Sequence, residues 1–172
     1  MDSPARLLRA FCVLALLGAA SVTAVPAEAA TQPLIWQQAG ALRILCVVAP
    51  PPAGSDVRAA QGDLEKELCD IVRALAADGA PVPVSKIGFG DPAVLEPGTV
   101  TLLVHASVQD DGGQRLVALD VRPFRPGGDH NAILFGAAPR AFRLPASGPG
   151  GAKLEAAVAA ALAETLPWRQ RR

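Results

Sequence analysis

Three residue types that hydrolases combine, a histidine, a serine and an aspartate, lie close together in this sequence. His105 and Ser107 are two residues apart on one predicted strand, and Asp120 lies on the next. A Ser-His-Asp hydrolase needs these groups within hydrogen-bond reach, with the serine on a sharp turn beside a pair of oxyanion donors. A solvated strand face offers neither the turn nor the donors. We therefore favour a polar surface over a catalytic site.

A second histidine suggests metal binding, because His130 directly follows Asp129. Loop acids next to a lone histidine are more often turn-forming residues than metal ligands. We therefore predict no metal and no other cofactor, and we favour a protein that is not an enzyme. The alternative is a small periplasmic hydrolase or metal-binding protein that uses His105, Ser107 and Asp120, or His130.

Two cysteines, Cys46 and Cys69, lie beyond the amino-terminal segment. Zinc requires four clustered ligands, and a reactive thiol requires an accessible, electropositive site, whereas Cys46 lies within an apolar run. In an oxidising compartment such a pair commonly forms a disulfide, which would stabilise the fold by about 3.5 kcal/mol in the chain-entropy model. We predict a Cys46–Cys69 disulfide. Two buried free thiols are the alternative.

The amino terminus has the features of a signal peptide. Arg6 and Arg9 precede an apolar run that is shorter than the roughly 20 residues needed to span a bilayer. Small residues offer cleavage sites after Ala29, which we prefer, and after Ala24. We therefore predict that residues 1–29 are removed, that no membrane span then remains, and that the mature protein is periplasmic or secreted.

The charge balance argues against one class of partner. The chain has 16 basic and 16 acidic residues, and loss of the signal peptide removes two of each. A nucleic-acid-binding protein should show a basic excess and aromatic residues for base stacking, but aromatics make up 4% of the chain and Tyr is absent. We expect no nucleic-acid partner.

Hydrophobic periodicity predicts the elements that position these residues. A leader at 30–41 precedes a buried strand at 42–49, which ends at three prolines. A helix follows with an apolar stripe, and Asp78-Gly79 ends it. Further strands are predicted at 82–89, 101–109, on the return arm of a hairpin and at 132–144, before a last helix that Pro167 closes. The stripe of the first helix consists of Leu64, Leu68, Ile71 and Leu75.

This order, β-α-β-β-β-β-α, predicts a single α/β domain at 42–167, of the mixed α+β kind. Its two helices would cover one face of a mixed four- to five-stranded sheet. Residues 168–172 are predicted to form an exposed basic tail.

The clearest local signal is a hairpin. A two-residue turn at Asp111-Gly112 would place Val104 opposite Leu119 and His105 opposite Ala118. The apolar side chains of both strands then share one face, and His105, together with Ser107 and Asp120, lies on the other.

A glycine-rich segment, Ser147–Gly151, leads into the last helix. The amino terminus of a helix can bind an anion, but the segment lacks the Gly-Lys-Ser/Thr of a phosphate loop. A flexible connector explains its glycines and proline, and we favour that interpretation.

Together the strand Leu42–Val48, the helix through Leu64–Leu68, the hairpin around Asp111-Gly112 and the closing helix from Lys153 resemble the amino-terminal α/β domain of TolB and related envelope accessory proteins. The likeness rests on the order of elements, so no residue is assigned a function by it. It implies a protein-binding accessory module in the periplasm.

We therefore expect an exported, non-enzymatic module that binds an envelope protein. The candidate contact residues lie in the proline loop, on the hairpin and just after it, and are Pro50, Pro51, Pro52, Arg122 and Arg125.

Overall fold

The fold is a five-stranded mixed sheet with two helices packed on one face, as the sequence predicts. The computed structural model describes residues 34–49, 58–127 and 136–170. The strands lie in the order β2-β1-β3-β4-β5. The elements are β1 (Ala41–Val48), α1 (Arg58–Ala77), β2 (Val84–Ile87), β3 (Thr99–Asp110), β4 (Gln114–Phe124), β5 (Arg140–Pro145) and α2 (Gly151–Thr165).

Strand β1 lies between β2 and β3 and runs parallel to both. Alternate side chains of β1, from Leu42 to Val48, are buried beneath the helices, and those between them are half-buried on the opposite face. This explains why β1 reads as an almost continuous apolar run. β4 and β5 extend the sheet in antiparallel fashion.

The buried stripe of α1 consists of Leu64, Leu68, Val72 and Ala76. The predicted stripe contained Ile71 and Leu75, but both are only partly buried, on the flank of the buried stripe. The buried residues recur at every fourth position of α1, so Val72 and Ala76 take the places predicted for Ile71 and Leu75.

Two strand boundaries differ from prediction. β2 covers only Val84–Ile87 of the predicted segment 82–89, and it is the short edge strand that the interruptions at Pro83 and Gly88 predict. The last strand was predicted at 132–144, but β5 begins at Arg140. Residues 132–135 of the predicted strand lie outside the described residues. Residues 136–139 are not in a strand; there Ala137 donates its N–H to the carbonyl of Val121 at 2.9 Å, and Pro139 has no N–H to donate.

The predicted register of the β3–β4 hairpin is wrong by two residues. Asp111 and Gln114 exchange backbone hydrogen bonds, so the turn is Gly112-Gly113. Both glycines have positive φ, 60° and 80°, which this kind of tight hairpin turn requires and which glycine adopts without strain. A two-residue shift keeps every side chain on its predicted face, so the apolar pattern could not detect the error.

The predicted exposed tail is instead docked on the carboxyl end of α1. The indole N–H of Trp168 donates to the carbonyl of Ala76 at 3.0 Å, and Arg169 donates to the carbonyl of Leu75 at 2.6 Å. Trp168 also meets Trp36 of the leader edge-on, with 5.4 Å between the ring centres. The basic charge of this segment suggested that it would be solvated. Instead, it is held by free carbonyls at the end of α1 and by a buried aromatic neighbour. Arg171 and Arg172 lie outside the described residues.

Candidate functional site

The side of the sheet away from the helices, here called the open face, collects most of the polar residues singled out from the sequence. Strand register aligns Ile87, Leu45 and Leu103 side by side across β2, β1 and β3, and we call these three the apolar row. Each member is half-buried. Two residues further along the same strands, and on the same face, are Val47 of β1 and His105 of β3, which lie opposite each other.

His105 and Asp120 lie directly opposite each other in the antiparallel ladder, and Ser107 is two residues along from His105 on the same face. The corrected register therefore brings together the three groups that the sequence placed on one face. Yet the carboxylate of Asp120 binds the guanidinium of Arg122 at 2.5 Å, and the imidazole of His105 is exposed. Ser107 lies on a regular strand, without the sharp turn that exposes a nucleophile.

The other charged groups of the open face are also paired. Arg43 of β1 donates to Ser85 at 2.6 Å and to Glu96 at 2.9 Å, and Arg143 of β5 donates to Asp111 at 2.7 Å. Together with the Asp120–Arg122 pair, these contacts balance the charges that the described residues place on the open face, so these residues create little field to attract a highly charged ligand.

A short 3-10 helix, Pro92–Leu95, and its flanking loop close one end of the open face. Glu96 reaches Arg43 from this loop. Thr101 beneath is fully buried, and its hydroxyl has no hydrogen-bond partner among the described residues. Phe89 and Leu95 in this segment are 90% and 68% exposed.

Of the remaining predicted contact residues, Arg125 binds the leader. Arg125 donates to the backbone carbonyl of Gln37 at 2.6 Å and so ties the end of β4 to the leader. Pro50, Pro51 and Pro52, as well as His130, lie outside the described residues. The Cys46–Cys69 disulfide is present and joins β1 to α1, with 5.8 Å between the two Cα atoms.

A second site that sequence reasoning missed lies where α1, the start of β4 and the loop before α2 meet. It is a cleft of about 390 Å³ lined by Glu67 and Arg115, among others. The carboxylate of Glu67 accepts hydrogen bonds from the N–H groups of Gly150 and Gly151, at 2.8 and 3.1 Å. A side chain of α1 thus occupies the position at the amino terminus of α2 that an external anion would take.

Arg115 is almost fully buried in the same cleft. Its guanidinium donates to the carbonyls of Pro145 and Gly148, at 2.7 and 2.6 Å. The Ser147–Gly151 segment is therefore held at two places, by Arg115 near its start and by Glu67 at its end. Two features of the sequence hinted at this site: the glycine-rich segment before the last helix, interpreted as a flexible connector, and a charged residue at an inward-facing position of β4.

Among the described residues, Asp70, on the side of α1 next to β2, has a clearly lowered pKa. Lys86 and Lys66 donate to the carboxylate of Asp70 at 2.5 and 3.0 Å. These bonds, the one from Lys86 foremost, lower the pKa of Asp70 to about 2. This pair of contacts ties α1 to the edge strand β2 and suggests no chemistry by itself.

Other signs of function are scarce in the described part of the chain. Within 34–49, 58–127 and 136–170, no three His, Cys, Asp or Glu residues are grouped so that they could hold a metal ion. None of the helices in those ranges is long and apolar enough to cross a bilayer. No protein-family model matches the chain, and no curated protein is significantly similar to it.

Proposed function

We propose that the protein is an exported, non-enzymatic accessory module of the cell envelope, which acts by binding another protein through the open face of its sheet. The observation that carries the proposal is the composition of this face. An apolar row lies beside charged side chains that are already paired with one another. Such a surface gains from burial of its apolar row, and its paired charges need no counter-charge from a partner.

Export is supported by the signal-like amino terminus and by the disulfide, which is common in oxidising compartments. The proposed location is periplasmic or secreted. The resemblance to the amino-terminal domain of TolB agrees with a protein-binding role. Mass spectrometry of the protein from the producing cells tests export, and a mature chain that still begins at Met1 would contradict it.

The binding proposal is tested by photo-crosslinking in cells. A photoreactive amino acid replaces Ala118, which is exposed at the middle of the open face, and in a control it replaces Ala74, which is exposed on the outer side of α1. We expect a discrete crosslinked protein from position 118 and none from position 74. Equal labelling, or no labelling, at the two positions would argue against the open face as a contact surface.

A hydrolase is the second candidate, and the register of His105 opposite Asp120 is the observation that favours it. Ester and phosphoester model substrates would be assayed with the purified protein and with His105→Ala. Turnover that this substitution abolishes, in a variant that keeps its melting temperature, would replace the binding proposal.

A further inference from the structure

A row of polar side chains crosses the open face two positions before the apolar row. Strand register aligns Ser85, Arg43 and Thr101 side by side on β2, β1 and β3, and we call these three the polar row. A strand rises about 3.3 Å per residue, so the two rows are about 6.6 Å apart. Glu96 lies over the polar row and binds Arg43.

The guanidinium of Arg43 is only partly used. Its Nη1 donates to Ser85 at 2.6 Å, and its Nη2 donates to Glu96 at 2.9 Å. The Nε–H group points to the same side as Nη2, and this edge of a guanidinium can hold a carboxylate by two parallel hydrogen bonds. Glu96 takes only one of the two, because Nε is buried without a hydrogen-bond partner in the described part of the chain.

The hydroxyl of Thr101, the neighbour of Arg43 in the polar row, is likewise buried and without a partner within the described ranges. Buried polar groups are nearly always hydrogen-bonded, so two unused donors in one row require an explanation. Both can donate to an anion. A carboxylate that lies deeper than Glu96 would satisfy them together.

We propose that the polar row binds the carboxylate at the carboxyl terminus of a partner protein, which takes the place of Glu96. This inference rests on the proposed function, because it names the part of the partner that the open face recognises. The carboxylate accepts hydrogen bonds from Nε and Nη2 of Arg43 and from the hydroxyl of Thr101. The side chain of the last residue then lies on the apolar row.

Glu96 is held weakly enough to be displaced. Its side chain is 51% exposed, and an ion pair in contact with water contributes little to stability. No residue of the adjoining 3-10 helix, Pro92–Leu95, is buried. The segment therefore loses few apolar contacts when it moves away from the polar row.

The unused donors favour this ligand over others. A neutral group would leave the Nε–H of Arg43 without a charged acceptor. Arg122, which lies opposite Leu103 at the end of the apolar row, is already bound by Asp120, whose side chain is only 19% exposed. A chain end can enter beneath the 92–96 segment, whereas the carboxylate of an internal Glu or Asp brings main chain on both sides.

The test is an NMR titration of the purified protein with three peptides. The first is acetyl-Ser-Ala-Leu-Leu with a free carboxyl terminus, the second is its amide, and the third is the amide of acetyl-Ser-Glu-Leu-Leu. We expect the first peptide to shift the Nε–H signal of Arg43 and the backbone amide signals of Leu45 and Leu103 to saturation. Equal binding of the first two peptides would overturn the proposal, and so would equal binding of the first and third.

Matched substitutions test the individual contacts. Glu96→Gln removes the competing carboxylate and should tighten binding of the first peptide about threefold, whereas Glu65→Gln on α1 should not change it. Thr101→Val should weaken binding roughly tenfold, the usual effect of losing a hydrogen bond to a charged group. Arg43→Lys keeps the charge but loses the two-bond edge, and it should weaken binding at least as much. Equal affinities of Glu96→Gln and Glu65→Gln would show that Glu96 does not occupy the site.

Failure of this site can be distinguished from failure of the proposed function. If position 118 crosslinks to a protein but the free-acid peptide does not bind, the carboxylate site is wrong and the binding function stands. If position 118 crosslinks to nothing and the peptide does not bind, both are wrong.

Discussion

The carboxylate of Glu67 on α1 caps the amino terminus of α2, where it accepts hydrogen bonds from Gly150 and Gly151. The residue that precedes α2 is Gly150, which has no side chain to cap the helix. A helix start that lacks its own cap is therefore completed by a residue from a distant part of the chain. A side chain at Gly150 would also collide with Leu154, 2.7 Å from an added Cβ.

Replacement of Glu67 by alanine should lower the free energy of unfolding by about 1–2 kcal/mol, the usual cost of a lost helix cap. Urea unfolding measures it. Glu65→Ala on the exposed side of α1 is the matched control and should change stability by less than about 0.5 kcal/mol. Equal effects of the two substitutions would show that the cap contributes nothing.

Reduction of the Cys46–Cys69 disulfide should lower the free energy of unfolding by about 3.5 kcal/mol, because the bond closes a loop between residues 23 apart in sequence. The protein would be unfolded, reduced and refolded with and without a reductant, and mass spectrometry would verify the thiol state. Identical denaturation midpoints for the two forms would contradict a stabilising role for the bond.

Asp70 should titrate with a pKa of about 2, well below the ordinary value of 3.8 for an aspartate. A carboxyl group whose pKa is lower in the folded protein stabilises the fold above its unfolded pKa, and this contribution disappears as the pH falls from about 4 towards 2. Carbon-13 NMR of the carboxyl group follows the titration. Lys86→Ala should raise the pKa more than Lys66→Ala, and raised salt should move it in the same direction.

Two glycine-to-alanine substitutions should have opposite effects on stability. Gly113 has φ of 80° in the β3–β4 turn, so Gly113→Ala should destabilise the protein by about 1–2 kcal/mol. Gly62 lies inside α1 with nothing within 4 Å of an added Cβ, so Gly62→Ala should stabilise it by about 0.5–1 kcal/mol. Thermal unfolding measures both. A stabilising Gly113→Ala would refute the assigned turn.

The buried hydroxyl of Thr101 should be dispensable. It makes no hydrogen bond among the described residues, so Thr101→Val, which keeps the shape, should leave stability unchanged or raise it by up to about 1 kcal/mol. Thr101→Ala, which removes a methyl group as well, should destabilise the protein. A clear loss of stability in Thr101→Val would show that the hydroxyl has a partner, such as an ordered water.

Much of the fold could be predicted because the controlling signals are local. The run from Leu42 to Val48 identified a strand inside the sheet, the helical stripe that begins with Leu64 and Leu68 identified α1, and Gly79 ended that helix as expected, with φ of 74°. Cys46, on a strand, and Cys69, on the following helix, are the two cysteines beyond the predicted signal peptide, and they indicated the disulfide.

The candidate site could be predicted only in part. The two-residue alternation placed His105, Ser107 and Asp120 on one face, but periodicity cannot separate registers that differ by two residues. The register is fixed by the turn at Gly112 and Gly113, where both residues have positive φ. This turn sets His105 opposite Asp120. The register then aligned the apolar row across three strands, which no single stretch of sequence displays.

The sequence by itself determined the secondary elements, the inward and outward faces of the strands and the cysteine pair, because each follows from neighbours within a few residues. Only the tertiary structure decided that Glu67 caps α2, that Arg115 fastens the loop before it, and that Trp168 docks on α1. These contacts join residues far apart along the chain. Their partners are unsatisfied backbone groups, which become available only when the helices and the sheet have packed.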